Sequence, residues 1–306
     1  MSDISLWSSP LYRETVIVVL AFIFIIALGL FFLRNKNAHF TAAWASVKSW
    51  LITAPIILMV FGFPKPWPLV FLVMVSIYAS KLFFQMTGMY HRSWYVWTCY
   101  VAQIVMGYLI YTKNDLLYNL MPMIFLGTLA LIPLIRNSAK KMIQYIALTL
   151  MAFIFFGWSF LHLGWLLHLE KGIYVILYLY IISELTENAS MAGHRVFGKH
   201  KFFTKISNRL SLEGSLFAIF VAFLSAWGLR HLLPIRTEPY WIAVALIASF
   251  AGRFGALFIS IIRKDLGLKD TGVFILGRGD IIDRLDKLIF IGPIFYYVYL
   301  YLKDTV

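Results

Sequence analysis

The chain has 306 residues, 61% of them apolar and only 13% charged, with a mean hydropathy of +0.81. No water-soluble domain of this length carries so little charge, so a soluble fold is excluded and the chain reads as an all-α, polytopic integral membrane protein. The single cysteine, Cys99, excludes a disulfide framework and any cysteine-rich metal site.

Hydrophobic runs predict about ten transmembrane helices, near 14–33, 49–63, 67–84, 94–111, 116–135, 142–161, 172–186, 214–230, 240–262 and 285–302. The first run is long and lacks a small-residue cleavage site, so it reads as a span and not as a signal peptide. The second is short and contains Pro55, which predicts a kinked span or a re-entrant hairpin. Trp44, Trp50, Trp67, Trp94 and Trp97 fall near span ends, where aromatic anchors sit at the membrane interface. Pro64-Lys65-Pro66 is a rigid turn, His91-Arg92 closes the turn after the third span, and His162 and His168 read as interfacial side chains. Residues 1–170 thus form a helical scaffold with little chemistry. Residues 171–306 carry the remaining helices and the polar loops.

Ser183 to Gly214 is the longest polar segment and holds Arg195, Lys199, Lys201, Lys205 and Arg209, with His194 and His200 among them. Two readings stay open: a basic loop lying on anionic lipid, or a site for a triphosphate or a phospholipid head group. Ser260 to Lys287 is the second polar stretch. It holds five of the 14 acids (Asp265, Asp270, Asp280, Asp283, Asp286) and six bases (Arg263, Lys264, Lys269, Arg278, Arg284, Lys287). A charge at the centre of a membrane helix costs about 2.5–3.5 kcal/mol, so this stretch is a wet loop or lines a polar cavity. Asp280, Asp283 and Asp286 recur every three residues and share one face wherever the segment is helical. Two such carboxylates ~4 Å apart repel by about 4 kcal/mol at an effective dielectric of roughly 20. Either a divalent cation removes that repulsion, with oxygen ligands suiting Mg²⁺, or Asp280 caps the helix, Asp283 lies in its anion-favouring first turn, and Arg284 and Lys287 neutralise the rest.

The net charge of +13 is a matter of topology rather than of nucleic-acid binding. With alternate loops assigned to two sides, nineteen bases collect on one side and seven on the other. That bias makes the first side cytoplasmic and leaves both termini outside. Both polar segments then lie on the cytoplasmic side, where a soluble nucleotide and a membrane lipid would meet.

The two segments resemble the conserved blocks of the CDP-diacylglycerol synthase (phosphatidate cytidylyltransferase) family. That family's signature reads S-x-x-K-R-x4-K-D followed by P-G-H-G-G-x-x-D-R-x-D. This chain offers Ser260, Arg263-Lys264, Lys269-Asp270, Gly277-Arg278-Gly279-Asp280 and Asp283-Arg284-Leu285-Asp286, with the spacing kept throughout. The earlier block, roughly N-D-x-x-A-Y, F-G-K-H-K and S-P-x-K-T-x-E-G, is matched by Thr186-Glu187, by Phe197-Gly198-Lys199-His200-Lys201, and by Ser207, Ser211, Glu213 and Gly214. There are departures. Lys-Arg is reversed, Pro-Gly-His-Gly-Gly becomes Leu276-Gly277-Arg278-Gly279-Asp280, and the carboxylate of the family's Gly-Asp-Leu is absent from Gly255-Ala256-Leu257.

The resemblance implies transfer of CMP from CTP to phosphatidic acid, giving CDP-diacylglycerol and pyrophosphate. Mg²⁺ is the implied cofactor; CTP, the lipid phosphate and membrane lipids are the implied partners, and a homodimer is left open. It assigns catalysis to Asp270, Asp283, Asp286, Lys264, Lys269 and Arg284. Lys199, Lys201, Ser207, Arg209, Ser260 and Arg263 would bind substrate, and Asp283, Asp286, Asp280 and Glu187 would hold the metal. Two alternatives stand beside it: a diverged cytidylyltransferase acting on another lipid phosphate, and a non-catalytic scaffold for anionic lipid. A transporter fits less well, because the ionisable residues gather at one face and not at mid-bilayer.

Overall fold

A computed structural model describes residues 5–36, 38–207, 210–235, 237–267, 273–274, 277–278 and 282–305; the side chain of Asp283 lies outside this description. The chain is an all-α integral membrane protein. Its helices are α1 (Pro10–Leu33), α2 (Ala38–Phe61), α3 (Trp67–Met86), α4 (Ser93–Tyr111), α5 (Asp115–Ile135), α6 (Met142–Ala152), α7 (Phe160–Leu166), α8 (Gly172–Phe197), α9 (Leu212–Gly228), α10 (Glu238–Asp265) and α11 (Ile282–Thr305). A π-helical segment, Phe153–Ser159, joins α6 to α7 without a break. Two short strands, β1 (Val273–Phe274) and β2 (Gly277–Arg278), pair antiparallel with Val273 opposite Arg278.

Each predicted span coincides with a helix or a continuous helical run. Among the described residues, seven are long and apolar enough to cross a membrane: Pro10–Leu33, Ala43–Phe61, Trp67–Met86, Asp115–Ile135, Met142–Leu166, Glu238–Asp265 and Arg284–Lys303. The difference from ten has a physical source. The apolar helix α9 is short, at 17 residues, α8 gives up hydrophobicity to carry Glu184 and Glu187, and α4 is diluted by Trp, Tyr and Gln103. The second span is one continuous helix with Pro55 inside it, not a re-entrant hairpin.

The described chain forms two compact units. One contains α1, α2, the first residues of α3 and the β1–β2 pair; the other contains α3 from Leu72 onward, α4 to α10, and α11. In the first, the Tyr12 hydroxyl donates to the Leu58 carbonyl at 2.5 Å and so ties α1 to α2. Much of the remaining apolar surface of α1, including Ile17, Val18, Phe24 and Ile25, is exposed, as lipid-facing side chains are.

In the second unit a buried polar cluster aligns the helices. The π-helical turn frees backbone carbonyls. Trp158 O accepts from the Tyr118 hydroxyl at 2.6 Å and lies 2.7 Å from His162 Nδ1. Because a carbonyl cannot donate, Nδ1 carries the imidazole proton. His162 is fully buried among Tyr118, Trp158 and Tyr297, which corrects its reading as an interfacial residue; His168 is only half buried and bonds Ile110 O at 2.8 Å. Tyr297, in the second half of α11, donates to Asn119 Oδ1 in the first turns of α5 at 2.9 Å. The start of α11 therefore lies at the end of the bundle where α5 finishes.

Two close helix crossings position the site. A Cβ on Gly255 would collide with the carbonyl of Asp286, so α10 meets α11 backbone to backbone there. Likewise a Cβ on Gly214 would meet Ser190 O and the backbone of His194, which brings α9 against α8. Small residues at such crossings let helices approach closely where hydrophobic burial offers little driving force.

Candidate active site

The middle of α8 and the first two turns of α11 converge on a buried ionic cluster. Lys287 Nζ lies 2.6 Å from Glu184 Oε1, an ion pair outside aligned hydrogen-bond geometry, and also donates to Glu187 Oε2. Arg284 Nη1 donates to Glu184 Oε2 at 3.2 Å. The side chains of Lys287 and Glu184 are 3% and 4% exposed, so both charges depend on each other for solvation. Their spacing explains the geometry. Glu184 and Glu187 are three apart on α8, as Arg284 and Lys287 are on α11, so each pair presents one face to the other. Asp286 is buried, and its carboxylate accepts the Lys287 backbone N–H at 2.7 Å.

The basic loop after α8 is folded back by its own motif residues. Ser211 caps α9 by accepting from Gly214 N at 3.2 Å. Glu213 accepts from His200 N at 3.1 Å and lies 2.6 Å from His200 Nδ1. These hydrogen bonds hold the Glu213 carboxyl down at about 2, below its ordinary 4.5. Lys201 forms a bridge with Ser211, and Leu212 N donates to His200 O at 2.9 Å. With His200 clamped, Lys199 and Lys201 project into solvent on either side of it. Arg253 is half buried and donates to Ser215, which ties α10 to α9.

The predicted site residues separate into three groups. Glu187, Arg284 and Asp286 are at the α8–α11 cluster. Lys264 stands at the end of α10 and donates to Lys205 O at 3.0 Å, tying the basic loop to that helix. Ser260 donates back to Ala256 O within α10 at 2.9 Å; Arg263 is half buried, and Ser207 lies in the loop between α8 and α9 with its N–H on Phe203 O at 2.8 Å. Asp283 is in the first turn of α11, and its side chain falls outside the described residues, as do Arg209, Lys269, Asp270 and Asp280 altogether. Motif spacing passes over Glu184 and casts Lys287 only as a neutralising charge. The available signal was the i, i+3 pair of acids closing an otherwise apolar run.

The donors suit a hard divalent cation in kind, since they are carboxylates. Among the described residues, however, no three His, Cys, Asp or Glu side chains are grouped to hold a metal. Between Glu184 and Glu187 the cation present is the Lys287 ammonium.

The sequence profile of the Cytidylyltransferase family matches residues 44–302. YnbB of Escherichia coli K12, described as uncharacterized, is 24% identical over 250 residues, 78% of this chain and 81% of that protein. The phosphatidate cytidylyltransferase of Staphylococcus aureus COL is 28% identical over 148 residues, 47% of this chain and 56% of the enzyme. That of Staphylococcus epidermidis ATCC 12228 is 26% identical over 147 residues. The chain thus spans little more than half the length of the staphylococcal enzymes it matches. Together with the helical bundle these matches define an integral membrane enzyme of the nucleotidyltransferase class. More particularly, the chain belongs to the Cytidylyltransferase family.

Proposed function

We propose that this chain transfers CMP from CTP to phosphatidic acid, forming CDP-diacylglycerol and releasing pyrophosphate. The observation that carries the reading is the family match across both polar segments, residues 183–214 and 260–287. The staphylococcal relatives of that name support the acceptor. In the reaction, a phosphate oxygen of the lipid attacks the α-phosphorus of CTP in line. The bond from that phosphorus to the oxygen bridging to the β-phosphate breaks, and pyrophosphate leaves. Both reactants are anions, so neutralisation and positioning supply most of the rate, and no side-chain nucleophile is needed.

Lys199, Lys201 and Arg209 gather the triphosphate, with Ser207 donating to a phosphate oxygen. Lys264, Lys269 and Arg263, with Ser260, receive the lipid phosphate at the end of α10. Asp283 and Asp286, with Asp280, would hold Mg²⁺, which supplies charge neutralisation at the phosphates when bound. Glu187 joins that set only by releasing Lys287, while Asp270 and Arg284 orient it. The site faces the cytoplasm and both termini lie outside, in keeping with the bias of basic residues.

The absent carboxylate at Ala256 favours one second reading, an acceptor other than phosphatidic acid within the lipid phosphates. Purified protein incubated with labelled CTP, Mg²⁺ and a panel of lipid phosphates tests both. Label moving into CDP-diacylglycerol is the expected result, and label moving only into another CDP-lipid selects the second reading. Lipid binding without turnover on any acceptor overturns both and leaves a scaffold.

A further inference from the structure

We propose that the chain carries a seat for an anionic phospholipid, separate from the α8–α11 cluster, with the head group in a basic pocket at the α4–α6 end of the bundle and an acyl chain in the groove between α4 and α5. The pocket encloses about 320 Å³ and is lined by Arg92, Tyr95, Arg136, Lys140, Lys141 and Tyr145 among others. Four bases line it and no carboxylate does. Arg92 is fixed in place: its Nη2 donates to the Tyr145 hydroxyl at 2.7 Å, and its guanidinium stands 4.6 Å over the Tyr145 ring. Its Nε is buried without a hydrogen-bond partner, so a donor at the pocket wall remains to be satisfied. None of the four bases pairs with an acid among the described residues, which leaves their charge available to an anion.

What makes this a lipid site and not a site for a free anion is the second cavity. A groove of about 620 Å³ runs between α4 and α5 past Trp94, Trp97, Val101, Val105, Ile124 and Thr128. Both cavities take lining from the start of α4: Ser93 and Trp94 line the groove, and Arg92 and Tyr95 line the basic pocket. From Ser93 to Val105 the groove follows α4 for about 18 Å at roughly 1.5 Å per residue. That distance matches one leaflet, half of a hydrocarbon core of roughly 30 Å. A ligand filling both is anionic at one end and apolar for the depth of a leaflet. Through the Tyr297–Asn119 alignment the pocket lies at the same end of the bundle as Glu184 and Lys287, yet the two sites share no residue.

The test uses the full chain and phosphatidylglycerol, whose phosphodiester cannot serve as a CMP acceptor, with phosphatidylcholine and soluble glycerol phosphate as comparison probes. Bound lipid is counted by native mass spectrometry, and thermal unfolding checks the fold of each variant. The wild type is expected to retain phosphatidylglycerol in preference to phosphatidylcholine. Replacing Arg136, Lys140 and Lys141 together by Gln is expected to weaken that retention about a hundredfold, since each base near anionic lipid is worth roughly 1 kcal/mol and about 1.4 kcal/mol is tenfold. Thr128→Trp, on an exposed lining position, is expected to expel the lipid while leaving glycerol phosphate binding unchanged. Equal retention of the two lipids, or retention indifferent to the charge variant, overturns the proposal. So does glycerol phosphate binding as tightly as phosphatidylglycerol, or a doubled mass lost with Thr128→Trp, which would put a second copy of the chain in the groove.

Discussion

Lys287 sits where two carboxylates would otherwise face each other in a buried space. Removing it leaves Glu184 with Arg284 alone and takes the ammonium from Glu187, and breaking a buried pair from one side costs about 3–5 kcal/mol. Lys287→Met should therefore lower the unfolding midpoint in detergent, and adding Glu184→Gln to it should restore part of the loss. A double variant no more stable than Lys287→Met alone would show that the two side chains are not coupled. Asp283 differs in kind, because its proposed role is toward the reacting phosphates. Asp283→Asn should depress turnover by at least tenfold, about 1.4 kcal/mol of transition-state stabilisation, with the unfolding midpoint unchanged. Full activity in the purified variant would remove Asp283 from the site.

Several motif residues hold the loop between α8 and α9 in place: Ser211 caps, Glu213 clamps His200, and Gly214 lets α9 meet α8. The clamp carries a pH dependence of definite sign. Glu213 is held at about 2 in the folded chain, below its ordinary 4.5. Its contribution is complete above the ordinary value and is lost as pH falls from there through about 2. Protection from hydrogen exchange across residues 198–213, taken relative to the intrinsic rate at each pH, should fall over that acid range, and Glu213→Gln should flatten the dependence. An unchanged acid profile in the variant would assign the effect to another carboxylate. At the crossing of α10 and α11, Gly255 belongs to the Gly-Asp-Leu position of the family pattern. The structure explains the glycine: the backbone of Asp286 occupies the space a Cβ would need.

Across the whole molecule, the distribution of Lys and Arg sets an orientation that labelling can read. Cys99 is buried, so cysteines introduced at exposed Lys113 and Lys199 would be the reactive ones. An impermeant thiol reagent should reach position 113 from outside and position 199 only from the cytoplasm. The same side for both would overturn the orientation drawn from the charge bias.

Hydropathy alone was enough to find every helix and to class the chain as a polytopic membrane protein, because a lipid-facing helix must be apolar along its own length. Motif spacing likewise picked out the two polar segments, since charges in so greasy a chain are costly and therefore few. Which charges meet was a different matter. Nearness in sequence points to Asp280, Asp283 and Asp286, whereas the ion pairs seen among the described residues join Glu184 and Glu187 to residues one hundred positions away. His162 looked interfacial by its place in the run and lies at 0% exposure instead. Pairing across helices depends on rotation and crossing distance, set here by Gly255, Gly214 and the π-helical turn, and those contacts exist only once the bundle has closed.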